Sequence, residues 1–330
     1  MTTLGWTGTF PAIKSWIAIL GLFLLPAISS GQTILFTEDF ENTNLAAKGW
    51  YDDTNQAFST VEHIPGSSRS LEFRWLQGAT SPQGGGGTQA GAIRRAFTPT
   101  TTLYVSYWVK YSSNYVGSGR TYHPHEFYIL TNADPAYSGL SFNTLDFYIQ
   151  QVFGSNGGVP QLEIQDGKMV DTTKIGVNLI GVIENRAVAG CNGAGNTGGV
   201  TVNGVFGGSD CYSVGGGTYW NSYEWNSPTV RFTPNTWQHV EVYAQLNSIV
   251  GGIGLTNGVL KYWLDGALII DQSSVIFRTG ANPNLAFNQF VMAPYIGDRS
   301  PVDQTFWIDD LTLATSRVTG LPPPKNLRVQ

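Results

Sequence analysis

The chain has 330 residues, of which 18 are basic and 23 acidic, for a net charge of −5. No basic patch stands out, which argues against a nucleic-acid binder and against a strongly anionic polymer as ligand, unless a local basic cleft overrides the balance. Forty glycines, ten tryptophans and fifteen tyrosines beside so few charges describe an extracellular all-β domain with long loops.

Residues 1–30 read as a signal peptide. One basic residue, Lys14, precedes the apolar run "SWIAILGLFLLPAISSG", which ends in small residues. The run is too short for a membrane span and meets Pro26 too soon. Cleavage after Ser29 leaves Ala27 and Ser29 at the two small positions; cleavage after Gly31 is nearly equivalent, and an uncleaved anchor is the alternative. The mature protein is expected to be soluble, without a membrane span, and exported to the periplasm or the extracellular space.

No long amphipathic helix follows. Short alternating or apolar runs separated by turn clusters read as strands: 33–41, 70–76, 92–97, 102–112, 126–132, 145–153, 161–166, 237–247, 258–271, 287–297 and 304–315. These suffice for an all-β, two-sheet antiparallel β-sandwich. Three segments read as loops: 81–91 ("SPQGGGGTQAG"), the long stretch 188–229, and the hairpin connection 247–258. Cys191 and Cys211 fall in the long stretch, where an exported chain is expected to join them in a disulfide; a free or catalytic thiol is the alternative. The tail 317–330, "RVTGLPPPKNLRVQ", contains a stiff proline run. It is either a simple tail or the start of a fibronectin type III-like module.

Alternation assigns the faces. Leu103, Val105, Tyr107 and Val109 share one side of their strand, and Tyr104, Ser106, Trp108 and Lys110 the other. Phe127 and Ile129 oppose Glu126 and Tyr128. Leu145, Phe147 and Ile149 oppose Asp146, Tyr148 and Gln150. Val240, Val242, Ala244 and Leu246 oppose His239, Glu241, Tyr243 and Gln245. Four strands thus carry an aliphatic inner side and an outer side of aromatics, amides and carboxylates. Such a side suits a sugar, whose C–H faces stack on rings while its hydroxyls bond to amides and carboxylates. Long loops covering the aromatics would explain it equally.

"ILFTEDFE", "WQHVEVYAQLN…GVLKYWLDGALIID" and "FWIDDLTLAT" resemble the concanavalin A-like lectin/glucanase (jelly-roll) superfamily across roughly residues 33–316, and the chain looks most like a secreted bacterial protein of polysaccharide-lyase-like type. The resemblance implies one jelly-roll domain over 31–316. The fold hosts binders and enzymes alike, so it leaves activity open. It also implies a structural calcium where first and last strands meet, with Glu38, Asp39, Glu41, Asp309 and Asp310 as the matching residues. Only one of Asp309 and Asp310 can point to a given side.

The polar stretch "RTYHPHEFYIL" (120–130) needs its own account. His123 and His125 share a face on a regular strand, a spacing that binds a transition metal only with a third ligand from elsewhere. Pro124 between them marks a strand start or bulge, so histidines at a sheet rim are the plainer explanation. The glucanase branch of the superfamily carries Glu-x-Asp-x-x-Glu; here Glu163 and Asp166 lack the closing glutamate, which puts glucanase chemistry in doubt. Lyases of the fold need a group that neutralises a uronate carboxylate and a Tyr or His that moves the C5 proton. Arg120, His125, Tyr128, Tyr148, Gln150 and His239 are residues of those types. The expected function is polysaccharide binding through Trp108, Lys110, Glu126, Tyr128, Tyr148, Gln150, Glu241 and Tyr243. The alternatives are a polysaccharide lyase acting by β-elimination on a uronate and a structural or adhesive protein of the cell surface.

Overall fold

Strands with apolar residues at every second position have one side to bury, and two sheets laid face to face bury it for all of them at once. The computed structural model describes residues 1–2, 32–119, 125–132, 145–154, 157–166, 200–202, 205–207, 221–278 and 283–318. Apart from Met1 and Thr2, all of these lie in one compact unit, Gln32–Gln330.

In chain order the described strands are β1 (Ile34–Glu38), β2 (Tyr51–Asp52), β3 (Ala57–Ser59), β4 (Ser70–Trp75), β5 (Ile93–Thr100), β6 (Thr102–Tyr111), β7 (His125–Thr131), β8 (Asp146–Gly154), β9 (Gly157–Asp166), β10 (Val200–Val202), β11 (Val205–Gly207), β12 (Asn221–Asn226), β13 (Gln238–Gln245), β14 (Ile249–Val250), β15 (Ile253–Gly254), β16 (Gly258–Leu264), β17 (Ala267–Val275), β18 (Phe287–Tyr295) and β19 (Gln304–Ala314). An eight-stranded sheet runs β17-β16-β13-β6-β19-β4-β3, with β1 also on β19. A seven-stranded sheet runs β12-β9-β8-β7-β18-β5-β2. Every pairing within them is antiparallel. Two small hairpins, β10–β11 and β14–β15, stand apart.

The core fills the space between the sheets. The inner-side residues read from alternation on β6, β7, β8 and β13, from Leu103 through Leu246, all belong to it. Aromatic rings join the layers: Phe127 of β7 meets Tyr107 of β6 edge-on at 5.0 Å and stacks on Phe290 of β18 at 5.8 Å. Asp265 and Gly266, both at positive φ (51° and 79°), close the β16–β17 hairpin with the two-residue turn that suits twisted antiparallel strands.

The long stretch 188–229 departs from the loop expectation. It contains β10, β11 and β12, and β12 ("NSYEWN") adds an edge strand to the seven-stranded sheet by pairing with β9. The Tyr and Trp of "YWNSYEW" favour strand; glycine-rich flanks hid that signal. Within 81–91 the three glycines Gly85–Gly87 form a short 3-10 turn. Residues 3–31, most of the tail (319–330), Arg120, His123, Cys191 and Cys211 lie outside the described residues, and with them the leader, linker and disulfide expectations. Among the described residues no helix is long and apolar enough to cross a membrane.

Candidate functional site

The residues expected to bind substrate do not share a surface. Trp108, Lys110, His239, Glu241 and Tyr243 lie on β6 and β13, on the outer side of the eight-stranded sheet. Tyr128, Tyr148 and Gln150 lie on β7 and β8, on the outer side of the seven-stranded sheet. The core separates the two groups, so they cannot form one groove. Alternation tells which side chains leave the core; it cannot tell through which sheet they leave.

The outer side of the eight-stranded sheet is a closed polar network. Glu241 accepts a hydrogen bond from the Tyr104 hydroxyl at 2.8 Å and a bidentate pair from Arg317 at 2.9 and 2.8 Å. Burial pushes the Glu241 carboxyl up, but these donors outweigh it and hold the group below its usual range. The Arg317 guanidinium lies 4.3 Å from the Trp263 ring centre, and His239 packs at 4.9 Å on Trp108. Burial pulls the His239 imidazole down against the nearby Glu241 and Asp265. Lys110 pairs with Glu62 at 2.7 Å, and Trp307 donates to Glu72 at 2.9 Å. These groups satisfy one another, and the network reads as structure.

The outer side of the seven-stranded sheet is different. Register aligns Tyr51, Arg94, Val291, Tyr128, Tyr148 and Glu163 in one row across β2, β5, β18, β7, β8 and β9. The rings of Tyr128 and Tyr148 lie 4.7 Å apart. The Tyr148 hydroxyl donates to Asp146 at 3.4 Å. Gln150 Nε2 donates to Gln161 at 2.6 Å and to Glu163 at 3.0 Å. Gln289 Nε2 donates to the Tyr51 hydroxyl, and Arg94 pairs with Asp52 at 2.7 Å. Exposure grades along the row, from 37% at Tyr51 through 9% at Arg94 to 0% at Tyr128 and Tyr148. The Oε1 atoms of Gln150 and Gln289 are buried without a hydrogen-bond partner.

Sequence reasoning passed over Tyr51, Arg94, Gln161 and Gln289, and noticed Glu163 only as half of a failed motif. The alternation Gln161-Glu163 in "QLEIQD" was an available signal, since it repeats the Asp146-Tyr148-Gln150 pattern of the neighbouring strand.

Glu126 requires a correction. It was expected beside Tyr128 on the outer side, but its carboxyl is fully buried and accepts from the Tyr111 hydroxyl at 3.3 and 3.5 Å, in the core. The register irregularity between Met292 and Tyr295, opposite the start of β7, is where simple alternation fails. Burial holds the carboxyl well above the usual range. His125 begins β7 opposite Tyr295.

The acidic residues expected to hold calcium do lie where β1 meets β19, with Glu38 opposite Leu311. They are nonetheless parcelled out to different partners. Glu38 accepts from Phe40 N, Lys48 and Trp50; Asp39 accepts from Lys48 and Glu41 N. Glu41 accepts from Ser67 and Ser68. Asp309 accepts from Ile64 N and Asp310 N, while Asp310 is exposed. Among the described residues no three His, Cys, Asp or Glu side chains gather as a metal-binding group. Asp310 nevertheless lies within electrostatic reach of Asp39 and Glu41; desolvation and those two charges push its carboxyl up.

No family model and no curated protein matches this sequence. Solved structures do. The alginate lyase vAL-1 from Chlorella virus superposes with a TM-score of 0.53 at 11% identity, over 86% of this chain and 100% of that one. The two share a two-sheet jelly-roll sandwich fold. The marine PL-14 alginate lyase from Aplysia kurodai (TM-score 0.49, 15% identity, 86% and 100% covered) and an endo-β-1,4-glucuronan lyase from Trichoderma reesei (0.43, 13%, 86% and 96%) are similar more distantly. At these identities the likeness concerns the fold alone.

Proposed function

We propose that this protein, after export, engages a polysaccharide on the outer side of the seven-stranded sheet. The observation that carries the reading is the Tyr128–Tyr148 ring pair set among Gln150, Gln161, Glu163 and Asp146 on a single sheet face. Amides and carboxylates offer hydrogen bonds to hydroxyls, and the buried Tyr128 and Tyr148 rings back them. Tyr51, at the exposed end of the row, provides the entry. Trp108, Lys110, Glu241 and Tyr243 have no part in this reading, because they lie beyond the opposite sheet.

A second reading is a β-eliminating lyase. Arg94, Tyr148 and Gln150 on the same face are residue types that neutralise a uronate carboxylate and move the C5 proton. In that step the C5 proton leaves, the bond from C4 to the bridging oxygen breaks, and the leaving oxygen takes up a proton. His239 drops out of the catalytic set, being on the other sheet. One experiment separates the readings: incubate the protein with neutral and uronate polysaccharides and follow both retention and the ultraviolet absorbance of an unsaturated uronate. Retention with flat absorbance supports the binder. Rising absorbance that Tyr148→Phe abolishes supports the lyase. Neither signal on any glycan contradicts both.

A further inference from the structure

Among the described residues only two aromatic side chains are exposed, Tyr51 of β2 and Tyr295 of β18, each 37% open to solvent. Both leave the core through the outer side of the seven-stranded sheet. Tyr51 lies opposite Arg94, and its hydroxyl accepts a hydrogen bond from Gln289 of β18 on that side. Met292 and Ile296 enter the core, so Tyr295, at the intervening odd position, points outward.

Each ring is held in place. An aromatic side chain that swings freely costs affinity when a ligand orders it. Gln289, which fixes the Tyr51 hydroxyl, is itself 2% exposed. The Tyr295 ring lies on the backbone of Gly297, where an added Cβ would stand 3.1 Å from its Cε1 atom, closer than an ordinary contact. Between the rings the floor is low: Ala92 and Ala293, which follow on from the Ile93–Met292 pair, are small and partly buried. β2, β5 and β18 are neighbours and Tyr51 is level with Val291, so strand spacing and rise set the two tyrosine Cα atoms roughly 15 Å apart. The strip is continuous with the face proposed to bind polysaccharide, since Gln289 belongs to both and Ala92 and Ala293 pack against the Tyr128 cluster.

We propose that Tyr51 and Tyr295 are two stacking subsites for one polysaccharide chain, which runs between them over Ala92 and Ala293 at the open edge of the seven-stranded sheet. The C–H face of one sugar rests on each ring. The inference rests on the binding reading and deepens it: the surfaces that a sugar ring touches are these two exposed tyrosines, while the Tyr128–Tyr148 pair stays beneath as support.

The test uses the full chain and three probes: a soluble neutral β-glucan, alginate and a proline-rich peptide. Dissociation constants are measured for wild type, Tyr51→Ala, Tyr295→Ala, the double variant and Gly297→Ala, each checked for unchanged melting. On the glycan that wild type binds better, each tyrosine variant is expected to bind about fivefold more weakly. The double variant is expected to lose about 25-fold, because sites this far apart act independently. Gly297→Ala displaces the Tyr295 ring without removing it, so it is expected to weaken binding in wild type and to have no effect on top of Tyr295→Ala. Tyrosine variants that bind like wild type overturn the strip and leave polysaccharide binding standing. A double variant no weaker than the weaker single overturns the pair of subsites. Tighter binding of the peptide than of either glycan overturns the strip in favour of a peptide surface. Failure of both glycans to bind wild type overturns the binding reading, and the strip with it.

Discussion

Glu126 shows how much one side chain can escape alternation. It lies in the core within electrostatic reach of Tyr107, Tyr111, Tyr115 and Tyr262, and among these Tyr111 donates to it. Burial raises its folded pKa well above 4.5, so below about pH 4 the carboxyl is protonated whether the chain is folded or not. As pH rises the unfolded chain ionises first, and folding loses free energy until the folded pKa is passed. Glu126→Gln keeps an acceptor for Tyr111 and removes the loss. It is expected to stabilise the fold at pH 7 by about 1–3 kcal/mol and to make no difference at pH 4, as read by urea denaturation at both values. A variant less stable than wild type at pH 7 would contradict this account of the site.

At the scale of the element, irregularities in strands account for much of what was and was not legible. In β19 the buried residues Phe306 and Ile308 fall on even positions and Leu311 and Leu313 on odd ones. A bulge between Asp309 and Thr312, with Asp310 at φ 51°, makes the change of parity. "FWIDDLTL" shows that break in spacing on inspection. The same bulge leaves Asp309 buried and Asp310 exposed, which separates two of the expected calcium ligands. The β16–β17 turn was readable too, because Asp-Gly between strands is a strong hairpin signal, yet the run 258–271 reads as one strand in the sequence where the structure has two. Side-chain ties across loops were not readable. Asn247 is fully buried; its Oδ1 accepts from Phe277 N and Arg278 N, both at 2.9 Å, and its Nδ2 donates to Arg278 O at 2.8 Å. Nothing in "LNSIV" announces a partner thirty residues away. Asn247→Ala strands two backbone donors and is expected to cost about 2–4 kcal/mol of unfolding free energy, measured by chemical denaturation.

At the scale of the whole molecule, the ionisable groups set a pH optimum for stability. Burial lifts Asp309 to about 7, and Glu126 is raised as well, so both contributions fade as pH climbs from about 4 through neutrality. Glu41, held at about 2 by Ser67 and Ser68, and Asp39, lowered by Lys48, contribute stability above their ordinary values and lose it in acid. His239, depressed by burial, opposes the two raised carboxyls below about pH 6.5. The melting temperature is expected to peak near pH 5 and to be lower at both pH 3 and pH 8, which a calorimetric pH series checks.

The two-sheet sandwich and the inner side of each strand were legible because period-2 burial is written directly in residue type. The proposed face was legible only in fragments. Side-chain type announced Tyr128, Tyr148 and Gln150, but their separation from Trp108, Glu241 and Tyr243 follows from strand order, which depends on long-range pairing: β6 lies between β13 and β19, and β7 between β8 and β18. Arg94 and Gln289 reach the face from strands distant in sequence from Tyr148, and only register brings them into line.

The central claim is that the functional face belongs to the seven-stranded sheet, and two single variants put it to the test. Gln150→Ala alters that face, and Tyr243→Ala alters the opposite one. Retention of both, alongside wild type, is measured on the polysaccharide the wild type binds best, after melting curves confirm that each is folded. The account predicts that Gln150→Ala weakens binding by about tenfold, roughly 1.4 kcal/mol, while Tyr243→Ala binds like wild type. Loss of binding in Tyr243→Ala with Gln150→Ala unaffected would place the site on the other side of the sandwich and contradict it.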